Sequence, residues 1–214
     1  MSAWPIPRRR LLFAMPLLGA TTGCSLLPTP KAAQIYRLSP QVEDPPGRAI
    51  LRTTLTIDLP NAPQSLDTDR IALTEGRTRF DYYAESTWTD RLPVLLQSLL
   101  VNAFESDGRI AEVSHDVDSS TRGYLLQTQI RQFEAQYGVP ATAPEIAVVL
   151  ELQLLTGPAG RFVGRRLIST NARASQDKLD AIVTAFDSAT GEALTESVVW
   201  TVQAISKDRA HRRP

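Results

Sequence analysis

Cysteine is almost missing from this chain: Cys24 is the only one in 214 residues, so no intramolecular disulfide can form. Histidine is nearly as scarce, with only His115 and His211, and together these shortages exclude a His/Cys metal cluster. Neither sign of charge is in excess, since 23 basic residues face 23 acidic ones. That balance lacks the electrostatic footprint of a nucleic-acid-binding protein. Long apolar runs are missing too. The run from Leu11 to Ala20 would cover about 15 Å as a helix against roughly 30 Å of bilayer hydrocarbon, so a permanent transmembrane anchor is not expected. The chain contains no nucleophile elbow, phosphate loop or dinucleotide fingerprint, and no internal repeat. It reads as a non-enzyme with no catalytic residue, cofactor site or metal ligand.

What is present begins at the N-terminus. Arg8-Arg9-Arg10, the apolar run Leu11–Ala20 and the small residues before Cys24 have the layout of a bacterial export signal over residues 1–23. An arginine-rich start is ordinary in general secretory signals, so Arg8-Arg9 need not mark twin-arginine export. The stretch resembles the lipobox of bacterial lipoproteins, with Gly23 before the cysteine and Thr21 where a leucine is usual. The resemblance implies acylation of Cys24. By the enterobacterial sorting rule, Ser25 at the next position implies the outer membrane.

Removing residues 1–23 takes three arginines and no acids, leaving 20 basic against 23 acidic residues and a net charge of −3. Pro28, Pro30, Pro40, Pro45, Pro46 and Gly47 then suggest a flexible tether over residues 24–47. Within it, Ile35-Tyr36-Arg37-Leu38 alternates apolar side chains and predicts a short strand or a clamp onto the body. The body is expected over residues 48–206, with a disordered basic tail at 207–214.

Leu51, Thr53, Leu55, Ile57 and Leu59 alternate with polar residues and predict a half-buried strand ended by Pro60. Ile71–Thr74 and Arg77–Tyr82 flank Glu75-Gly76 as a hairpin. A helix is expected from an Asp90 N-cap to Asp107-Gly108, with Leu92, Leu95, Leu96, Leu99, Leu100 and Ala103 forming one apolar stripe. Tyr124–Phe133 reads as a strand with a bulge before Phe133. Residues 146–155 are apolar on one face and mixed on the other, as in a central strand. After the Thr156–Gly160 turn, Arg161–Thr170 returns antiparallel. A long helix over about 177–205 carries Leu179, Val183, Phe186, Thr190, Leu194, Val198, Val202 and Ile205 on one side, with Gly191 as a candidate break. These elements make one α+β domain, a mixed and largely antiparallel sheet packed by two long helices.

Few residues invite chemistry. His115 beside Asp116 and Asp118 is best read as a solvated loop rather than an acid/base or metal site. Arg161, Arg165 and Arg166 are candidates for a lipid-headgroup patch, but neighbours on a strand face opposite ways, so the pair Arg165-Arg166 is not one patch. The loop Tyr137–Pro144 is a candidate exposed apolar edge.

With the order complete, the sequence resembles the ABC-type transport auxiliary lipoprotein family from about Ile35 to Ile205. The resemblance rests on Cys24, Ile35-Tyr36-Arg37-Leu38, Leu59-Pro60, Leu66-Asp67-Thr68-Asp69-Arg70-Ile71, and Tyr83-Ala84 with Trp88. It continues through Leu92-Pro93-Val94-Leu95-Leu96-Gln97, Tyr124–Phe133, Ile182-Val183-Thr184-Ala185-Phe186-Asp187 and Val198-Val199-Trp200-Thr201. It implies a lipid-anchored, periplasm-facing component of the cell envelope. Its implied partners are an ABC permease, an ATPase and a membrane-anchored MCE-domain substrate-binding protein, with phospholipids or sterol-like lipids as cargo. A homo-oligomer is left open. The alternative is a periplasmic lipoprotein that carries lipid in an apolar cavity of its own.

Overall fold

Alternating apolar side chains along two adjacent segments build the centre of the molecule. The computed structural model describes residues 33–42, 50–76, 78–115, 123–138, 143–156 and 160–212. The signal segment, Cys24, Asp116, Asp118 and the 139–142 stretch of the apolar loop lie outside these. All described residues belong to one compact unit, Ala32–Pro214.

The strands are β1 (Gln34–Tyr36), β2 (Leu51–Ile57), β3 (Arg70–Glu75), β4 (Arg79–Trp88), β5 (Ile110–Ser114), β6 (Tyr124–Tyr137), β7 (Glu145–Thr156) and β8 (Arg161–Arg173). The helices are α1 (Leu92–Asp107) and α2 (Leu179–His211). β6 is the hub. One edge pairs antiparallel with β7, which pairs antiparallel with β8; the other pairs parallel with β2 near its start and with β3 near its end. β4 joins β3 as the expected hairpin, β1 adds parallel to β4, and β5 adds parallel to β2. The sheet is therefore mixed. Its longest ladders, β6–β7 and β7–β8, are antiparallel, as the sequence implied.

Register explains the core. Directly paired residues share a sheet face, so Ile57, Leu126 and Leu154 point the same way, as do Ile130 with Leu150 and Phe133 with Val148. All of these are buried. The expected bulge appears as a register shift between Ile130 and Gln132, which carries Phe133 onto the inner face. There Phe133 stacks on Phe186 of α2 at 5.1 Å, and Trp88 meets both rings edge-on. Such pairs contribute about 0.5–1.5 kcal/mol each beyond their burial.

Several expectations need correction. Helix α1 starts two residues after Asp90; Arg91 occupies the N-cap without a side-chain bond, and Pro93 sits in the first turn. Leu59 is 49% exposed, because β2 ends at Ile57 and Pro60 follows. β5 was not foreseen: only Ile110 is buried, and its apolar residues do not alternate. The body begins before residue 48, since β1 is part of the sheet and Leu38 is buried. The tail is not disordered over 207–211, because α2 continues to His211. Asp208 gives it a reason to do so: it accepts from Tyr124 Oη at 2.8 Å and from Arg161 at 2.5 Å.

Gly191 does not break α2 either. A Cβ there would lie 2.6 Å from the Gln41 carbonyl oxygen, so the glycine provides a close crossing rather than a kink.

Candidate functional site

The segment that follows Cys24 meets the body along α2, and this junction is the most elaborated feature outside the core. β1 aligns Gln34, Ile35 and Tyr36 with Ser86, Thr87 and Trp88 of β4. Tyr36 donates its hydroxyl proton to one acceptor at a time, with Gln34 Oε1 at 2.8 Å and Asp180 Oδ1 at 3.1 Å within reach. Desolvation, then the bond to Asp180, raises the Tyr36 pKa. Leu38 inserts into the core. Ser39 N–H then donates to Asp187 Oδ1 at 2.8 Å, and Gln41 crosses at Gly191. Half-burial raises the Asp187 carboxyl above its ordinary value, against the smaller opposing effect of the Ser39 bond. A groove of about 480 Å³ opens between this strap and Leu99, Asn102, Ala103 and Ser106 of α1.

Near the start of α2 a second arrangement ties three elements together. Tyr137 at the end of β6 donates to Asp177 Oδ1 at 2.6 Å. A hydroxyl has one proton, so the 3.0 Å contact with Tyr83 of β4 is a donation from Tyr83. Burial and then the bond to Asp177 push Tyr137 up to about 12, against a smaller lowering by the bond from Tyr83, and burial and then the bond to Tyr137 raise Tyr83 higher still. Both phenols stay protonated at neutral pH and serve as ties, not as bases. The neighbouring groove of about 610 Å³ is lined by Leu73, Glu75, Gly76, Arg79, Tyr137, Gly138 and Asp177.

The residues singled out from sequence separate. His115 is exposed at the end of β5, far along the chain from His211, which closes on Lys207 O at 2.7 Å. Arg165 turns to Glu151 at 3.2 Å and Arg161 to Asp208 on α2, so no single arginine patch forms on β8. Among the described residues, no group of three or more His, Cys, Asp or Glu is placed to hold a metal ion, and no helix is long and apolar enough to cross a membrane. What sequence reasoning missed was the strap's contact with α2. Its signals were the apolar alternation of Ile35-Tyr36-Arg37-Leu38, expected as a strand or a clamp onto the body, and Gly191 in the middle of an otherwise regular helix.

The family model for the ABC-type transport auxiliary lipoprotein component matches residues 36–212, from the strap to the end of α2. This chain belongs to that family. The match places it among the transport auxiliary lipoproteins. The Xanthomonas campestris protein XCC0632 is similar in structure, with a TM-score of 0.77 and 26% identity over 83% of this chain and 99% of that one. A further solved protein, 14% identical with a TM-score of 0.62 over 82% of this chain and 99% of its own, shares the fold. In sequence, the Bradyrhizobium diazoefficiens protein bll6063 is 28% identical over 161 residues, which is 75% of this chain. The auxiliary lipoprotein spans only 42% of the length of that relative.

Proposed function

We propose that this auxiliary lipoprotein is a lipid-anchored adaptor of an MCE-type ABC system that moves phospholipid or sterol-like lipids between membranes. On this reading residues 1–23 are removed, Cys24 carries the acyl chains, and the body faces the periplasm, with Ser25 favouring the outer membrane. The observation that carries it is the strap. Gln34, ten residues after Cys24, already belongs to the sheet, so at about 3.3–3.6 Å per residue the link reaches at most about 35 Å. Leu38, Ser39 and Gln41 then fasten the incoming chain to α2. An acyl anchor would thus hold a folded body close to one membrane, which raises its effective concentration for a partner there.

Packing favours an adaptor over a carrier with its own cavity. The sheet's apolar face is filled by side chains such as Leu126, Ile130, Phe133, Leu150 and Phe186, each 0–1% exposed, leaving that face no room for an acyl chain. Co-purification after mild detergent extraction tests the reading. An adaptor brings down an MCE-domain protein with its permease and ATPase, without stoichiometric lipid. Recovery of one or more lipids per chain and no MCE protein would instead mark a carrier.

A further inference from the structure

At the far end of α2 the chain assembles a basic and aromatic groove that the transporter reading does not use. It measures about 430 Å³ and runs between the start of β8 and the last turns of α2, with Val163, Gly164, Trp200 and Ala204 as an apolar lining. Arg161, Lys207 and His211 line it as well, and Arg212 joins through Asp208 at 3.0 Å. Asp208 is the only acid among the lining residues, and both of its oxygens are occupied: Oδ1 by Arg161, Oδ2 by Tyr124 and Arg212. Lys207 has no side-chain partner among the described residues. Arg161, Lys207 and Arg212 therefore face one committed carboxylate, while Arg165, which also lines the groove, is drawn to Glu151, in a chain whose part beyond residue 23 carries a net charge of −3.

Cations in the last turn of a helix are expected from its dipole, and this accounts for Arg209 and His211. It does not account for Arg161, which comes from β8. Trp200 is only partly buried at the same place. An aromatic ring with one apolar and one wet side, set among lysine and arginine, matches the interfacial zone of a lipid bilayer.

We infer that this groove and its rim bind the phosphate of anionic phospholipid headgroups at a bilayer surface. Its position gives the inference a consequence. Lys207 lies 27 residues along α2 from Asp180, which is within reach of the Tyr36 hydroxyl of the strap, a separation of about 40 Å at 1.5 Å per residue. The strap's first contact and the groove thus lie at opposite ends of one helix, so the groove can meet a bilayer surface without displacing the strap. This holds whether or not the transport partner is an MCE protein.

The test uses residues 32–214, the compact unit that contains every buried core side chain. Its tryptophans are Trp88, which is buried, and Trp200, so fluorescence reports on the groove. The protein should sediment with vesicles containing phosphatidylglycerol but not with pure phosphatidylcholine, and Trp200 emission should shift to the blue. At about fivefold per basic charge, Lys207→Glu should weaken partitioning on the order of 25-fold. Lys178→Glu, the same change at the opposite end of α2, should leave it unchanged. Equal losses for the two variants, or equal binding to both vesicle types, would overturn the assignment. So would saturable quenching of Trp200 by inorganic phosphate without vesicle binding, which would mark a site for soluble phosphate instead.

Discussion

Replacing Gly191 by alanine sets two effects of opposite sign against each other. In a free helix alanine is favoured over glycine by about 1 kcal/mol, because glycine loses more backbone entropy on folding. Here the new Cβ would stand 2.6 Å from the Gln41 carbonyl oxygen and 3.6 Å from its carbon. An ordinary contact needs nearly 1 Å more, and the atom that must move is backbone, held on one side by buried Leu38 and by the bond from Ser39 to Asp187. Overpacking of this kind costs about 1–3 kcal/mol, so the net effect should be a destabilisation of up to about 2 kcal/mol. For a domain of this size that lowers Tm by roughly 2–4 °C per kcal/mol. Urea unfolding of residues 32–214 measures it. The same substitution in a chain that begins after residue 42 removes the obstacle, and there Gly191→Ala should stabilise by about 1 kcal/mol. The difference between the two backgrounds is the coupling of strap to helix. Stabilisation by alanine in both would show that the strap does not rest on α2.

Three further changes probe the body. Leu150→Asp, at the centre of β7 and fully buried, should destabilise by about 4 kcal/mol or more by placing an unpaired charge in the core; a near-wild-type melting curve would contradict the central position of β7. Arg109→Met leaves the Asp107 carboxylate buried without the two guanidinium bonds it accepts at 2.6 and 2.7 Å and should cost about 3–5 kcal/mol, whereas joint replacement by Asp107→Asn and Arg109→Met should recover part of the loss in urea titrations. Asp187 has a raised pKa in the folded state, so its contribution to stability is fullest below its unfolded value of 3.8 and is lost as pH rises through the folded value. Asp187→Asn keeps an acceptor for Ser39, so its stability advantage over wild type should be largest at neutral pH and shrink as pH falls toward 3.8; a constant or growing difference would reverse the assigned direction.

The parts of the fold that were legible in the sequence are those where side-chain periodicity reports burial. β7 alternates cleanly, the α1 stripe ends at Asp107-Gly108 where Gly108 takes a left-handed φ of 66°, and seven of the eight residues named on the α2 stripe are buried. The bulge in β6 showed as Phe133 out of phase. Where burial and periodicity part company, the sequence was silent. β5 is half-exposed and held by backbone pairing to β2, so nothing in its side chains announces it. The ion pair of Asp107 and Arg109 looks on paper like two surface residues around a helix stop. The junction of strap and helix depends on a carbonyl approaching a missing side chain, and one glycine at position 191 reads equally well as a weak point in the helix. Proline content made most of residues 24–47 look like free tether; the apolar alternation of Ile35–Leu38 announced a strand or clamp, but nothing announced that Gln41 also rests on the body.

The most direct measurement concerns the anchor. Transport-linked detergent resistance should be compared in cells making wild-type protein, Cys24→Ala protein exported by a general secretory signal, or none, at matched abundance. Linking two sites raises avidity by roughly 10²–10⁴, an advantage that a freely diffusing body loses. Wild type should restore resistance while the unlipidated protein restores little, even if it still binds its partner. Full restoration by Cys24→Ala protein would contradict a tethered adaptor and point to a soluble lipid carrier.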